Sequence, residues 1–187
     1  NFPLIFSKSI DIRTNKYGSA KHVWEVNRLN HLLFYAIKYK NSNDEFYLNY
    51  IKDSICDWSM KNQYLIGINW YSNLEVNIRL IVFFILWEIL DINNLVNKDK
   101  KLEEFVEDIW IPLIYSHCKY SYRNPSKFSS ANNHLIAELS GLFIASSYWK
   151  FDQSEQWNDF SKRGLEEQII KQFTMDGINK EQAFGYI

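Results

Sequence analysis

The chain has 187 residues, which is enough for one folded domain or for part of a larger one. It contains only 6 glycines and 3 prolines, so a β-rich fold with many tight turns is not expected. The formal net charge is −1, which leaves no basic excess that could bind nucleic acid or a long polyanion through bulk charge. An anionic ligand would therefore have to be bound by local groups.

The periodicity of the apolar residues predicts six helices joined by short loops. Because successive helices with short connections pack as antiparallel hairpins, we expect an all-α fold. The pattern fits part of an α/α toroid as well as a solenoid, and it does not choose between them. The predicted helices cover residues 20–40, 43–60, 72–90, 99–121, 130–150 and 153–174.

A few side chains predict where these helices begin, bend and end. Ser42 and Glu45 have the spacing of a capping box at the start of the second helix. Pro112 should kink or divide the fourth helix, and Asp176 with Gly177 should end the sixth. The third helix is apolar nearly all round, so we expect it to be buried.

The cysteines and histidines indicate no metal site. Cys56 and Cys118 lie far apart and match no metal-binding spacing, so two buried thiols are favoured over a single disulfide. The 4 histidines also lack ligand spacing, and we predict no metal or cofactor in this segment. The longest apolar run, residues 80–87, is far shorter than the roughly 18 residues that suggest a membrane span.

The first candidate site is the predicted start of the fifth helix, where Asn132, Asn133 and His134 follow Ser129 and Ser130. If a serine caps the helix, these three side chains lie in its first turn, beside unpaired N–H groups and a partial positive charge. Amide and imidazole donors at such a position suit a carboxylate or another anion. Spacing alone favours the simpler interpretation that they cap and pack, since asparagine is common at helix starts.

The second candidate is the polar, glycine-containing segment that leads to Tyr186. Functional groups often lie on such loops. A tyrosine acts as an acid or base near neutral pH only if its pKa falls well below about 10, which a nearby cation or histidine could cause. Considered alone, the segment is better interpreted as a loop with a packed tyrosine.

The third candidate is a row of side chains in the first predicted helix, Trp24, Arg28, His31 and Tyr35. Their spacing would place an aromatic ring, a cation, an imidazole and a phenol along one helix face. Such a face suits a groove where sugar rings stack and an arginine pairs with a carboxylate. An ordinary pair between Arg28 and Glu25 is equally compatible with the spacing.

Glu75 and Arg79 have the i, i+4 spacing of a helical ion pair on the third predicted helix. Because that helix is expected to be buried, we interpret these two residues as a structural pair rather than a catalytic one.

Four segments in this order resemble those of heparinase II/III-like proteins. They are similar to that family's WE-x-NR helix, its tryptophan loop with the following helix, its S-x-N-N-H active-site segment and its DG-x-x-x-EQ-x-x-x-Y catalytic loop. In this chain the four segments are residues 21–29, 67–80, 129–135 and 176–186.

The resemblance implies an incomplete α/α toroid and cleavage of a uronic-acid-containing polysaccharide by β-elimination. It assigns carboxylate neutralisation to Asn133 and His134, and the acid or base role to Tyr186. Groups that bind the charge developing on the carboxylate lower the barrier most. Substrate-binding residues expected on the same basis are Trp24, Arg28, His31, Trp70, Asn132 and Glu181.

Full-length members of the family continue into a β-sandwich region with a further active-site histidine and often a structural metal. We therefore expect residues 1–187 to form a single helical domain of a longer chain, inactive or weakly active alone. The resemblance favours a bacterial protein that is periplasmic or secreted. Its expected partner is an acidic polysaccharide, and its oligomeric state is left open.

Two other functions are compatible with the residues. A glycoside hydrolase on an α/α toroid needs two carboxylates flanking the bond, and Asp176 and Glu181 are the acids near the predicted loop. A non-catalytic helical module that binds glycans or proteins is the other alternative.

Overall fold

The computed structural model describes residues 2–126 and 133–180, and within these ranges the protein is all-α, as predicted. The β-bridges seen there, Phe6 with Ile66 and Phe173 with Asn179, are isolated. The α-helices of the described part are α1 (Ala20–Asn27), α2 (His31–Ser42), α3 (Glu45–Lys61), α4 (Asn73–Leu90), α5 (Ile92–Leu95), α6 (Lys100–Phe105), α7 (Ile111–Arg123), α8 (Asn133–Tyr148) and α9 (Ser154–Gln172).

Helix α4 lies at the centre of the fold and packs against α2, α7 and α8. Two hairpins flank it, α2 with α3 and α8 with α9. The burial of α4 on several sides confirms the expectation from its apolar sequence. No helix in the described ranges is both long and apolar enough to cross a membrane.

The first predicted helix is broken, because Leu29 adopts the left-handed conformation, with φ 64°, between α1 and α2. A left-handed conformation costs a non-glycine residue about 1–2 kcal/mol. Leu29 is only 5% exposed and joins the main core, and this burial offsets the cost. The prediction of one continuous helix over residues 20–40 was therefore wrong.

The helix ends differ from the predictions in detail. Ser42 is the last residue of α2, and Asp44 caps α3 by accepting a hydrogen bond from the Phe46 amide, so the predicted capping box is wrong. The division of the fourth predicted helix is confirmed. A π-helical turn, Val106–Trp110, separates α6 from α7, and Pro112 lies in the first turn of α7. Helix α9 ends at Gln172, and Gly177 (φ 83°) lies in a turn after it.

Aromatic side chains from several helices make up much of the core. Trp70 and His117 pack against each other with ring centroids 4.6 Å apart, and Trp87 packs against Trp110 at 5.2 Å. The core extends from α2 through α9 as one cluster. Both cysteines are free thiols; Cys118 is buried as predicted, whereas Cys56 is only half-buried.

Candidate functional site

Asn133 and His134 are the first two described residues of α8. The Asn133 side chain is half-buried, and its Oδ1 atom is buried without a hydrogen-bond partner in the described structure. The His134 side chain is exposed. Asn132, the third residue of this predicted site, lies outside the described residues. The start of α8 thus places an amide beside an exposed imidazole.

The position of α8 depends on its close packing against α4 at Gly141. A Cβ atom at this glycine would lie 2.7 Å from the Asn77 Cβ atom and 2.9 Å from the Asn77 backbone oxygen. Only a residue without a side chain allows the two helices to approach this closely.

Glu138 lies one helical turn after His134 and is only 2% exposed. Its Oε2 atom accepts hydrogen bonds from the Ser126 amide (2.8 Å) and from Asn73 Nδ2 (3.0 Å), and its Oε1 atom accepts one from Ser126 Oγ (2.6 Å). Burial raises the pKa of the Glu138 carboxyl, while these hydrogen bonds and the nearby His134 act in the opposite direction.

The hydrogen bonds continue from Glu138 into the interface of α4 with α7. Asn77 Nδ2 donates to the Asn73 backbone oxygen (2.9 Å) and to Asn73 Oδ1 (3.2 Å). Ser121 Oγ donates to Asn77 Oδ1 at 2.9 Å. All three residues are buried, so the start of α8 is supported by a polar network inside the helix bundle.

A lysine from the N-terminal segment lies next to this network. Lys8 Nζ donates to the Tyr71 backbone oxygen (2.6 Å) and stands 5.2 Å from the Tyr71 ring centroid and 5.6 Å from that of Tyr120. Burial lowers the pKa of the Lys8 ammonium, and the Glu138 carboxylate raises it. Lys8 and Glu138 therefore interact electrostatically near the start of α8.

The row predicted on the first helix does not form, because the break at Leu29 divides it. Trp24 donates from Nε1 to the Ile68 backbone oxygen (3.0 Å) and stacks on Tyr71. Beyond the break, Tyr35 stacks on Tyr50 with ring centroids 4.1 Å apart. The prediction that the four side chains line one helix face was therefore wrong.

Arg28 binds two protein carboxylates. Its Nε and Nη2 atoms donate to the two oxygens of Glu75 at 2.8 and 2.9 Å, and Nη1 donates to Glu25 at 2.6 Å. The pair with Glu25 anticipated from the spacing is present. The guanidinium already binds two carboxylates of the protein. It therefore has no free pair of N–H groups with which to bind a substrate carboxylate. His31, the next residue of the predicted row, has its pKa lowered by burial.

Trp70 lies in the core instead of at a sugar-binding surface, since it is 1% exposed and its Nε1 atom donates to the Asn62 backbone oxygen at 2.9 Å. Its indole therefore presents no face on which a sugar ring could stack.

Arg79 does not form the predicted pair with Glu75, which binds Arg28. It donates from Nε to His117 Nε2 (3.0 Å) and from Nη2 to the Asn69 backbone oxygen (2.7 Å). Burial lowers the pKa of Arg79 to about 9, and burial also lowers the pKa of His117, with the Arg79 charge acting in the same direction. A neutral His117 accepts from Arg79 through Nε2 and donates from Nδ1 to the Leu113 oxygen, 2.8 Å away.

Residues 2–187 match the family described as heparinase II/III N-terminus. The chain belongs to this family. No curated protein and no solved structure matches it. Membership confirms the resemblance inferred from the four motifs and relates the chain to lyases of the heparinase type.

The second part of the predicted heparinase-type site lies outside the described residues, since it includes Glu181 and Tyr186. The chain before it forms a tight turn in which Thr174 and Ile178 exchange hydrogen bonds, with the Thr174 amide 2.9 Å from the Ile178 oxygen. Asp176 is exposed in this turn, and a hydrogen bond from Thr174 lowers the pKa of its carboxyl. In the described ranges no group of three His, Cys, Asp or Glu side chains could hold a metal ion.

The structure brings to the start of α8 three further residues that were not predicted from the sequence. Glu138 had a usable signal, because it is the one charged residue in the mostly apolar stretch 135–145 and lies four positions after His134. Asn73 and Lys8 had no such signal in the sequence, since their partners are distant in the chain.

Proposed function

We propose that the protein containing this chain cleaves a uronic-acid-containing polysaccharide by β-elimination. The observation that carries the proposal is that Asn133 and His134 lie together at the beginning of α8 in a chain of the heparinase II/III N-terminal family. Hydrogen-bond donors at the beginning of a helix favour an anion, because the helix dipole places partial positive charge there.

The chemistry explains why such a site is needed. A base removes the C5 proton of the uronate, the electron pair forms the C4–C5 double bond, and the bond from C4 to the glycosidic oxygen breaks. The departing oxygen takes up a proton. Negative charge accumulates on the uronate carboxylate before the bond breaks, so fixed donors at that carboxylate lower the barrier. Asn133 and His134 are assigned this role, with the side-chain amide and the imidazole N–H as the hydrogen-bond donors.

Tyr186 is assigned the proton transfers, on the basis of the family motif. A phenol is a weak base at neutral pH, and an adjacent cation would have to lower its pKa for efficient transfer. Asn132 and Glu181 are assigned to substrate binding on the same basis. Trp24 is the member of the first predicted row that stacks on Tyr71, whose ring Lys8 also approaches. The substrate is an acidic polysaccharide.

The test replaces Tyr186 by phenylalanine in the intact protein and follows the ultraviolet absorbance of the unsaturated uronate product. We expect kcat to fall by about 10²–10⁴-fold, the usual contribution of a general acid or base, with polysaccharide binding retained. Tyr50→Phe is the control, because Tyr50 lies on α3 and stacks on Tyr35.

Unchanged turnover in Tyr186→Phe would remove this residue from the mechanism. New reducing ends without ultraviolet absorbance would indicate a hydrolase, and binding without turnover in the wild type would indicate a non-catalytic module.

A further inference from the structure

A buried carboxylate occupies the apolar stretch of α8, where an ionised side chain is costly unless donors surround it. Glu138 meets this condition, because it accepts three hydrogen bonds of 2.6–3.0 Å. The donors come from two other segments: Ser126 follows α7, and Asn73 begins α4. One side chain of α8 therefore ties the helix to α4 and to the segment that follows α7.

The donors are themselves held in place. Asn73 donates from Nδ2 to Glu138 and accepts from Asn77 at Oδ1, and Asn77 accepts from Ser121 at its own Oδ1. A fully bonded buried network specifies one arrangement of its helices, since any other leaves polar groups unpaired in a region of low dielectric constant. A shift of α8 along α4 would therefore leave the Glu138 carboxylate without donors.

The clamp formed by Glu138, Ser126 and Asn73 lies next to the proposed carboxylate-binding residues. Glu138 follows His134 by one turn of the same helix. The side chain itself is unsuited to touch an acidic substrate, because its negative charge would repel a uronate and its oxygens already accept from protein donors. Its effect on the reaction must pass through other residues.

We propose that Glu138 is a positioning residue, which holds the first turn of α8 so that Asn133 and His134 face the substrate carboxylate. This inference rests on the proposed lyase function. It differs from a catalytic role because Glu138 contributes hydrogen-bond acceptors rather than a charge or a proton to the reaction.

The contacts predict different results for two substitutions in the intact protein. In Glu138→Gln, the amide oxygen can replace Oε2 and keep the bonds from the Ser126 amide and Asn73, while the amide nitrogen donates to Ser126 Oγ, which reverses its role. In Glu138→Ala all three bonds are lost. We expect Glu138→Ala to lower kcat by about 10–100-fold with KM changed less than about threefold, the size of effect that a displacement near 1 Å has on a reacting group. Glu138→Gln should retain kcat within about threefold.

A matched control lies at the other end of α8, where Tyr148 donates to Glu88 of α4. Glu88→Ala loosens the same helix pair far from the site and should leave kcat near the wild-type value. Ser126→Ala, which removes one donor and keeps the backbone amide, should lower kcat less than Glu138→Ala and provides a variant that folds if Glu138→Ala does not.

Three results would overturn the inference: wild-type kcat in Glu138→Ala, loss of kcat in Glu138→Gln equal to that in Glu138→Ala, or an equal loss in Glu88→Ala. Hydrogen exchange of the backbone amides of residues 137–140, which donate to the carbonyls of the first turn of α8, provides a second readout that needs no turnover. It should become faster in Glu138→Ala and stay slow in Glu138→Gln and Glu88→Ala. If the wild type turned over no polysaccharide, the proposed function would fail, while unchanged exchange in Glu138→Ala would separately refute the clamp.

Discussion

Arg28 and Glu75 join α1 to α4 through a bidentate ion pair. The Glu75 side chain is 4% exposed and that of Arg28 is 25% exposed, so the pair is largely removed from water. A carboxylate left in such a place without its cation is strongly destabilising, because its desolvation is no longer compensated. The planar guanidinium reaches both oxygens at once, which a lysine cannot do.

We therefore predict that Arg28→Ala lowers the free energy of unfolding by about 3 kcal/mol. Arg28→Lys should retain part of the stabilisation, since lysine keeps the charge but loses the second hydrogen bond. The measurement is urea or guanidinium denaturation followed by circular dichroism. Arg163→Ala is the control, because its pair with Asp159 is exposed on α9 and should contribute less than about 1 kcal/mol. Equal losses in Arg28→Ala and Arg163→Ala would contradict the structural role.

At the scale of the helices, two glycines in helix interiors are constrained differently by their neighbours. At Gly141 a Cβ atom would meet the Asn77 Cβ and backbone oxygen, which move only if α4 moves. At Gly164 it would meet the Leu139 Cδ1 and Cδ2 atoms at 2.9 and 3.0 Å, the ends of a side chain that can adjust its rotamer. Helix packing therefore excludes a side chain at Gly141, whereas it does not exclude one at Gly164.

Gly141→Ala should therefore destabilise the protein by about 2–3 kcal/mol, in the range of overpacked cores, despite the better helix propensity of alanine. Gly164→Ala should change the free energy of unfolding by less than about 1 kcal/mol, because propensity and rotamer adjustment act in opposite directions. Denaturant titration of both variants measures the difference. If Gly141→Ala were as stable as the wild type, α8 could not pack against α4 as closely as described.

Periodicity predicted the helices of the described chain well, because each buries a stripe or a full surface of apolar side chains. The break after α1 could not be predicted in this way. No glycine or proline marks it, and the left-handed Leu29 is stabilised by core contacts that come from other helices. The start of α3 was misplaced by two residues because Ser42 and Asp44 are both good capping residues, and only the turn at Asn43 (φ 53°) decides between them.

The candidate site was predictable where the signal is local. Asn133 and His134 share a motif within one helical turn, and the family resemblance indicated them, although spacing alone favoured capping and packing. The partners of Arg28 and Lys8 were not predictable, since Glu75 lies 47 and Tyr71 lies 63 positions away in the chain. Contacts across such distances depend on how the helices pack, which no single segment encodes.

At the scale of the whole molecule, one core cluster joins side chains from α2 through α9. A single cluster of this kind should unfold cooperatively, because no helix can leave without exposing the apolar surface of its neighbours. The two thiols lie at different depths in this structure. Cys118 is 0% exposed within the core, whereas Cys56 on α3 is half-buried. The two thiols should therefore become accessible to a reagent through different opening motions of the protein.

We predict that an alkylating reagent modifies Cys56 in the native protein, while Cys118 reacts only when the core unfolds. The thiolate is the reactive form, and burial raises the pKa of both thiols, so both react more slowly than an exposed cysteine at the same pH. In Cys56→Ser, the free energy of opening obtained from Cys118 modification should match global unfolding and fall with denaturant along the same slope. In Cys118→Ser, modification of Cys56 should depend only weakly on denaturant. A shallow denaturant dependence of Cys118 modification would show that α7 opens locally. Ser121 of α7 would then stabilise the polar network next to α8 less than its hydrogen bond to Asn77 indicates.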